Sequence, residues 1–244
     1  MALLANGLAG AFFLVGAILA LFGKKRRGLI EFSIGLSFSV MILLLAFDIV
    51  PEIVELLSDK GTVFMYVFII IGIVMLKLVD FLVPHHDHDQ ELKTHHRHLN
   101  HIGIISSLAL IIHNVIEGIG IYNIALADFK AGMLMAIGVG MHNIPFGIEI
   151  VATLSETKKS KKFVIGNILL LTLSTVFGGL VMMFVGSISD FVLGSLMSLT
   201  VGMIIYLVLF ELLIELGASK NRKYSVMGLL VGVIFMLVVL IIGG

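Results

Sequence analysis

The chain has 244 residues, 59% of them hydrophobic and only 13% charged, with a mean hydropathy of +1.15. Soluble domains run at about 45–50% apolar and about 25% charged, so this composition is that of a polytopic membrane protein. Acids and bases balance to a net charge of zero, which leaves no basic face for nucleic acid, and the absence of cysteine excludes disulfides, thiolate metal sites and a Cys nucleophile.

Eight apolar segments follow one another, over residues 2–22, 29–57, 61–83, 102–126, 130–154, 163–187, 190–217 and 224–243. Each is near the ~20 residues that cross ~30 Å of hydrocarbon. With no water there to satisfy the backbone, each is expected to be a helix. The long second and seventh segments are expected to tilt or to protrude. The first run is followed, not preceded, by a basic cluster, which argues against a cleaved signal peptide. The expected fold is all-α, one transmembrane domain over residues 1–244.

Lys and Arg set the expected orientation. "KKRR" at 24–27, Lys93 with Arg97, "KKSKK" at 158–162, and Lys220, Arg222 and Lys223 fall in alternate loops, and the opposite loops hold only Lys60 and Lys130. Thirteen against two is a strong positive-inside bias, which puts both termini outside a cell membrane. Lys77, near the inner end of segment three, is expected to snorkel.

The longest inner loop is "HHDHDQELKTHHRHLNH", residues 85–101, between segments three and four. His85, His86, His88, His95, His96, His98 and His101 with interspersed carboxylates suit borderline divalent metals. The spacing is irregular, so the expectation is weak, exchangeable capture.

The remaining two histidines are inside the apolar runs. "HNVIEG" places His113, Asn114 and Glu117 on segment four, and "HNIPFG" places His142, Asn143, Pro145 and Phe146 on segment five. Residues i and i+4 share a helix face, so each segment carries a polar stripe, at similar mid-membrane depth. Polar side chains there cost upward of ~2.5 kcal/mol unless paired or functional. Interhelical hydrogen bonding alone seldom needs His, Asn and Glu together. Pro145 cannot donate to the carbonyl of Met141, which frees that oxygen beside His142 and predicts a kink.

These paired motifs on consecutive helices resemble the ZIP (Zrt/Irt-like) divalent metal transporters, nearest the prokaryotic ZupT-like zinc-uptake branch. The resemblance also covers the eight segments, the external termini and the His-rich loop. It implies a metal site between segments four and five, with His113, Asn114, Glu117, His142 and Asn143 as the matching ligands. The place of Phe146 is acidic in most of that family, so the resemblance implies a two-metal site that this chain reduces to one principal metal. Glu149, seven residues after His142, lies about 20° away on the same face and roughly 10 Å deeper, and can serve the pathway.

Segments two and seven align as "LSFSVMILLLAFDIVPE" and "LTVGMIIYLVLFELLIE", pairing Asp48 with Glu211 and Glu52 with Glu215. The two run in opposite directions, which predicts an inverted repeat of segments 1–3 and 6–8 around 4–5. Asp48 and Glu52 are then expected at the outer entrance, and Glu211 and Glu215 at the inner exit.

The function expected is divalent metal transport, with zinc uptake first and iron(II), manganese and cadmium open, because nitrogen–oxygen ligands select weakly. Transport is expected to depend on pH, since ligating His must be neutral. The partners are then the metal as substrate, the bilayer, and a homodimer mate, with no cofactor. Two other classes compete. A non-transporting metal receptor or regulator is favoured by Phe146. An intramembrane metallohydrolase is disfavoured, because HNxxE is not HExxH, so no enzyme activity is expected.

Overall fold

A computed structural model describes residues 1–23, 28–59, 61–82, 91–157 and 159–243. Eight helices among them are long and apolar enough to cross a membrane. They are α1 (Ala2–Gly23), α2 (Leu29–Leu56), α3 (Val63–Leu82), α4 (Glu91–Ala127), α5 (Phe129–Ser155), α6 (Lys161–Val185), α7 (Asp190–Ala218) and α8 (Arg222–Gly243). The protein is an all-α, multi-pass membrane protein.

Short connections are closed by local chemistry. Asp128 caps α5, accepting from the amides of Lys130 and Ala131 at 2.8 and 3.2 Å. Ser160 and Ser189 cap α6 and α7 in the same way. A capping oxygen satisfies amides that the first helical turn leaves without partners.

One boundary differs from the hydropathy reading. Helix α4 begins at Glu91, not at 102, so His95, His96, His98 and His101 stand on a helix rather than in a connecting loop. The charged and His-rich turns at its start hid this, because hydropathy reports what lipid tolerates and not where backbone hydrogen bonding begins. At 37 residues the helix is about 55 Å long, which exceeds the bilayer core. His85, His86 and His88 lie outside the described residues. Lys77 is exposed on α3.

The bundle has a centre and a rim. In the most apolar stretch of each helix, 67% of α4 and 61% of α2, α5 and α7 is buried, against 17% of α3 and 28% of α8. The exposed side chains of the rim helices are large and apolar, such as Ile70, Phe81, Leu230 and Ile234, as a lipid-facing surface requires.

The strongest helix pairs are α1 with α5, α2 with α8, α4 with α6, and α3 with α7. Exchanging helices 1–3 with 6–8, and 4 with 5, maps this set onto itself, which is the inverted repeat. Segments two and seven add a local signature. Each winds into a π-helix, at Leu45–Ile49 and at Leu207–Leu212, in matching register. Asp48 stands in the first and Glu211 in the second. Such wide turns concentrate at functional sites.

Glycines set the approach of each pair. A side-chain carbon on Gly118 would strike the carbonyl of Thr175, and one on Gly178 that of Val115. Gly16 and Gly147, Gly35 and Gly228, and Gly72 and Gly202 face backbone in the same reciprocal manner on the other three pairs. Lipid supplies no hydrophobic drive between helices, so close backbone packing supplies the attraction. Asn6 adds polar glue: its Nδ2 donates to the carbonyls of Gly118 (2.7 Å) and Thr175 (2.8 Å), joining α1, α4 and α6.

Gly178→Ala is expected to destabilise the bundle by about 1–3 kcal/mol, because α4 and α6 must part to admit the methyl group. Gly166→Ala on the same helix meets nothing within 4 Å, and is expected to be neutral or stabilising by up to about 1 kcal/mol. Thermal unfolding of the two variants in one detergent measures the difference.

Candidate functional site

Helices α4 and α5 run antiparallel along a common seam. Gly132 sits on Ala125 at one end of it and Gly103 on Leu154 and Thr153 at the other. Between these ends the two polar stripes meet. His142 Nε2 hydrogen-bonds Glu117 Oε1 at 3.0 Å. His113 Nε2 lies 3.0 Å from the same oxygen but makes no hydrogen bond. The His113 and His142 rings are 6.4 Å apart, and both are buried. Glu117 Oε2 has no hydrogen-bond partner.

Two imidazole nitrogens converging on one carboxylate oxygen make a metal-ligating geometry. Nitrogen and oxygen bonds to Zn²⁺ of ~2.0–2.2 Å in a tetrahedron put ligand atoms about 3.3 Å apart. Glu117 Oε1 stands 3.0 Å from each imidazole nitrogen, close to that spacing, and the three ligand atoms lie within 4.8 Å of one another, so these side chains could hold an ion.

The two asparagines of the motifs face other helices. Asn114 Nδ2 donates to the carbonyl of Leu171 on α6 at 3.2 Å. Asn143 Nδ2 donates to the carbonyl of Ala9 on α1 at 3.3 Å. Each side-chain oxygen is buried with no hydrogen-bond partner. Both amides therefore anchor the flanking repeats, and each keeps an unsatisfied acceptor.

Helix α5 runs through Pro145 without interruption, and Ser37 Oγ on α2 donates to the Pro145 carbonyl at 3.3 Å. Phe146 is fully buried, with its ring centroid 6.0 Å from that of His142. An apolar ring thus packs beside one candidate ligand, one helical turn along.

A cavity of about 310 Å³ reaches this site from one end of the bundle. Asp48 and Glu52 line it with His113 and Glu117, and Met197 and Thr200 of α7 form part of its wall. Asp48 is exposed and Glu52 half-buried. The cavity mouth lies at the Lys-poor end. Past the His113–Glu117 level the interior is closed by fully buried Leu110, Phe146 and Ile150.

At the Lys- and Arg-rich end a second set of ligand atoms converges. Asp80 of α3, His101 of α4 and Glu211 of α7 place one ligand atom each within 4.8 Å of one another. His101 Nε2 is 2.5 Å from Asp80 Oδ1 and 3.6 Å from Glu211 Oε1. Tyr206 donates its hydroxyl to Asp80 Oδ2 at 2.7 Å. Glu215 is buried one turn further along α7. Asp80 and Tyr206 were not singled out in the sequence. The available signal for Asp80 was an acid inside the apolar run "LKLVDFL". His101 reads as a loop residue until the start of α4 is known.

Residues 84–240 match the profile of the family described as ZIP Zinc transporter. The chain is 28% identical over 230 residues to the zinc transporter ZupT of Escherichia fergusonii, covering 90% of this chain and 89% of that protein. The ZupT proteins of Salmonella arizonae and Shigella dysenteriae serotype 1 are 26% and 28% identical, each over 231 residues, with the same shares covered. The family match takes in α4 and α5 with His113, Glu117 and His142, and extends over more than half of the chain. The chain belongs to the ZIP zinc transporter family.

Proposed function

We propose that this protein carries a divalent metal, zinc before others, from outside the cell into the cytoplasm. One observation carries the reading: His142 converges with His113 and Glu117, and those two line a cavity toward the Lys-poor end. The positive-inside bias makes that end the outer one, with both termini outside a plasma membrane. The relatives are zinc transporters by name, which agrees with a nitrogen–oxygen ligand set.

The steps follow from the residues. Asp48 and Glu52 draw the cation into the cavity and replace part of its water. Glu117 supplies one negative charge at the site, and Asp48 in the same cavity supplies a second against the ion's two positive charges. His113 and His142 bind through Nε2, with Asn114 and Asn143 assisting through their unsatisfied oxygens. Inner opening then passes the ion to Asp80, His101 and Glu211, and past Glu215 to the His-rich segment at 85–101. Binding must be strong enough to enter and weak enough to leave, which a chain of separated sites provides. A receptor that binds without transport shares the ligands, and flux into liposomes separates it from this reading.

His113→Ala or Glu117→Ala is expected to abolish zinc uptake into proteoliposomes without preventing insertion, because each removes one of three convergent ligands. Normal uptake by both variants would sink the assignment.

His101→Ala is expected to slow uptake about tenfold while zinc affinity at the central site holds, since rate and binding are lost at different sites. Changing His85, His86 and His88 together to Ser leaves uptake detectable and alters its zinc sensitivity. Complete loss in the triple variant would place those residues in the path itself.

Phe146→Glu is expected to add a second bound equivalent and to tighten binding by about tenfold, because the several kcal/mol of attraction a carboxylate gains near an ion at protein dielectric is largely offset by the cost of burying it. Turnover is expected to stay level or fall. Metal stoichiometry on purified wild type and variant at neutral pH checks this, and two central equivalents in the wild type would contradict it.

A further inference from the structure

Glu149 is fully buried on α5, and neither of its carboxylate oxygens has a hydrogen-bond partner. Ser106 of α4 is its polar neighbour, also fully buried and close enough to act on the carboxylate. A buried carboxyl group at membrane depth costs several kcal/mol when nothing satisfies it. The inactive alternative is easy to encode, since the surrounding positions Leu110, Phe146 and Ile150 are apolar and fully buried.

The pair has a definite place on the α4–α5 seam. Ser106 precedes His113 by seven residues and Glu149 follows His142 by seven. In antiparallel helices both offsets lead the same way, toward the Lys- and Arg-rich end. Seven residues turn a helix by nearly two full turns, so Ser106 and Glu149 keep the faces of the two histidines, about 10 Å further in. The pair therefore repeats the geometry of the central site, one level down, between that site and the Asp80–His101–Glu211 cluster. It lies beyond the closed end of the outer cavity, whose lining stops short of it.

We infer that Glu149 and Ser106 form a transit station for the cation, opened when the inner half of the seam parts. The inference rests on the transport reading above. An ion leaving His113, Glu117 and His142 needs a negative oxygen ligand within reach, because crossing ~10 Å of apolar interior without one carries a large desolvation cost. Glu149 provides the carboxylate and Ser106 a neutral oxygen.

Zinc uptake by proteoliposomes and zinc binding in detergent test this on the full chain with Glu149→Leu, Glu149→Gln, Phe146→Glu/Glu149→Leu and His113→Ala. Both single variants at 149 are expected to lose uptake by at least about tenfold while central-site zinc affinity stays within about twofold, the split that marks a transit ligand rather than a binding one. Leu in place of an unpaired buried carboxyl is expected to raise the unfolding temperature, so loss of uptake is not loss of fold. The double variant is expected to stay slow, because an acid at 146 stands at the level of the central site and not at the station. Uptake at the wild-type rate in both single variants, with His113→Ala inactive, would overturn the station and leave the transport reading standing. Recovery of uptake in the double variant would overturn the need for a carboxylate at 149 itself. A wild type that moves no zinc would overturn both readings.

Discussion

The structure turns on one oxygen. Glu117 Oε1 has an imidazole nitrogen 3.0 Å away on each side, one from its own helix and one from the next. Three potential ligands buried together are tolerable only if they satisfy each other, water from the cavity or an ion. This forces α4 and α5 to hold a fixed register along their whole seam. The outer cavity ends at that oxygen, and the polar pairs further in inherit their spacing from it. Asn6, Asn114 and Asn143 follow from the same demand. Each donates to a backbone carbonyl of a neighbouring helix, so the central pair is tied to α1 and α6 by hydrogen bonds that survive the absence of water.

The inverted repeat gives the bundle two similar halves in unequal surroundings. Asp48 and Glu211 occupy matching π-helical turns of α2 and α7. Asp48 is exposed on the cavity wall, whereas Glu211 is buried against His101 and Asp80. One end of the bundle therefore holds a cavity lined by Asp48 and Glu117, and the other a cluster of ligand atoms packed against one another. A carrier with alternating access needs this inequality and a means of reversing it, and repeats of opposite orientation provide both with one set of packing contacts. The reciprocal glycines matter here too. They let helix pairs touch through backbone, over surfaces that can slide without unlocking large side chains.

Phe146 fills the volume beside His142 and joins the main apolar core, so the seam is packed by an apolar ring at that level. The next acid on that face of α5 is Glu149, two helical turns from His142.

Much of this protein is set by sequence alone. Runs of apolar residues long enough to span a bilayer must be helices, because the backbone has no other partner there. His, Asn and Glu at mid-depth mark a site, because lipid penalises them without one. The matching of Asp48 to Glu211 was readable because an inverted repeat preserves spacing along each helix. Other features depend on which helices meet. His101 lies in a charged stretch that reads as loop, and only the packing of α3, α4 and α7 brings it to Asp80 and Glu211. Asn114 and Asn143 share their stripes with the histidines, yet their amides bond to α6 and α1, since a helix face has an angular width that i, i+1 spacing does not resolve. The pairing of Glu149 with Ser106 needed the register of two antiparallel helices, and register is fixed by the contacts between chains of side chains, not by the order of residues within either one.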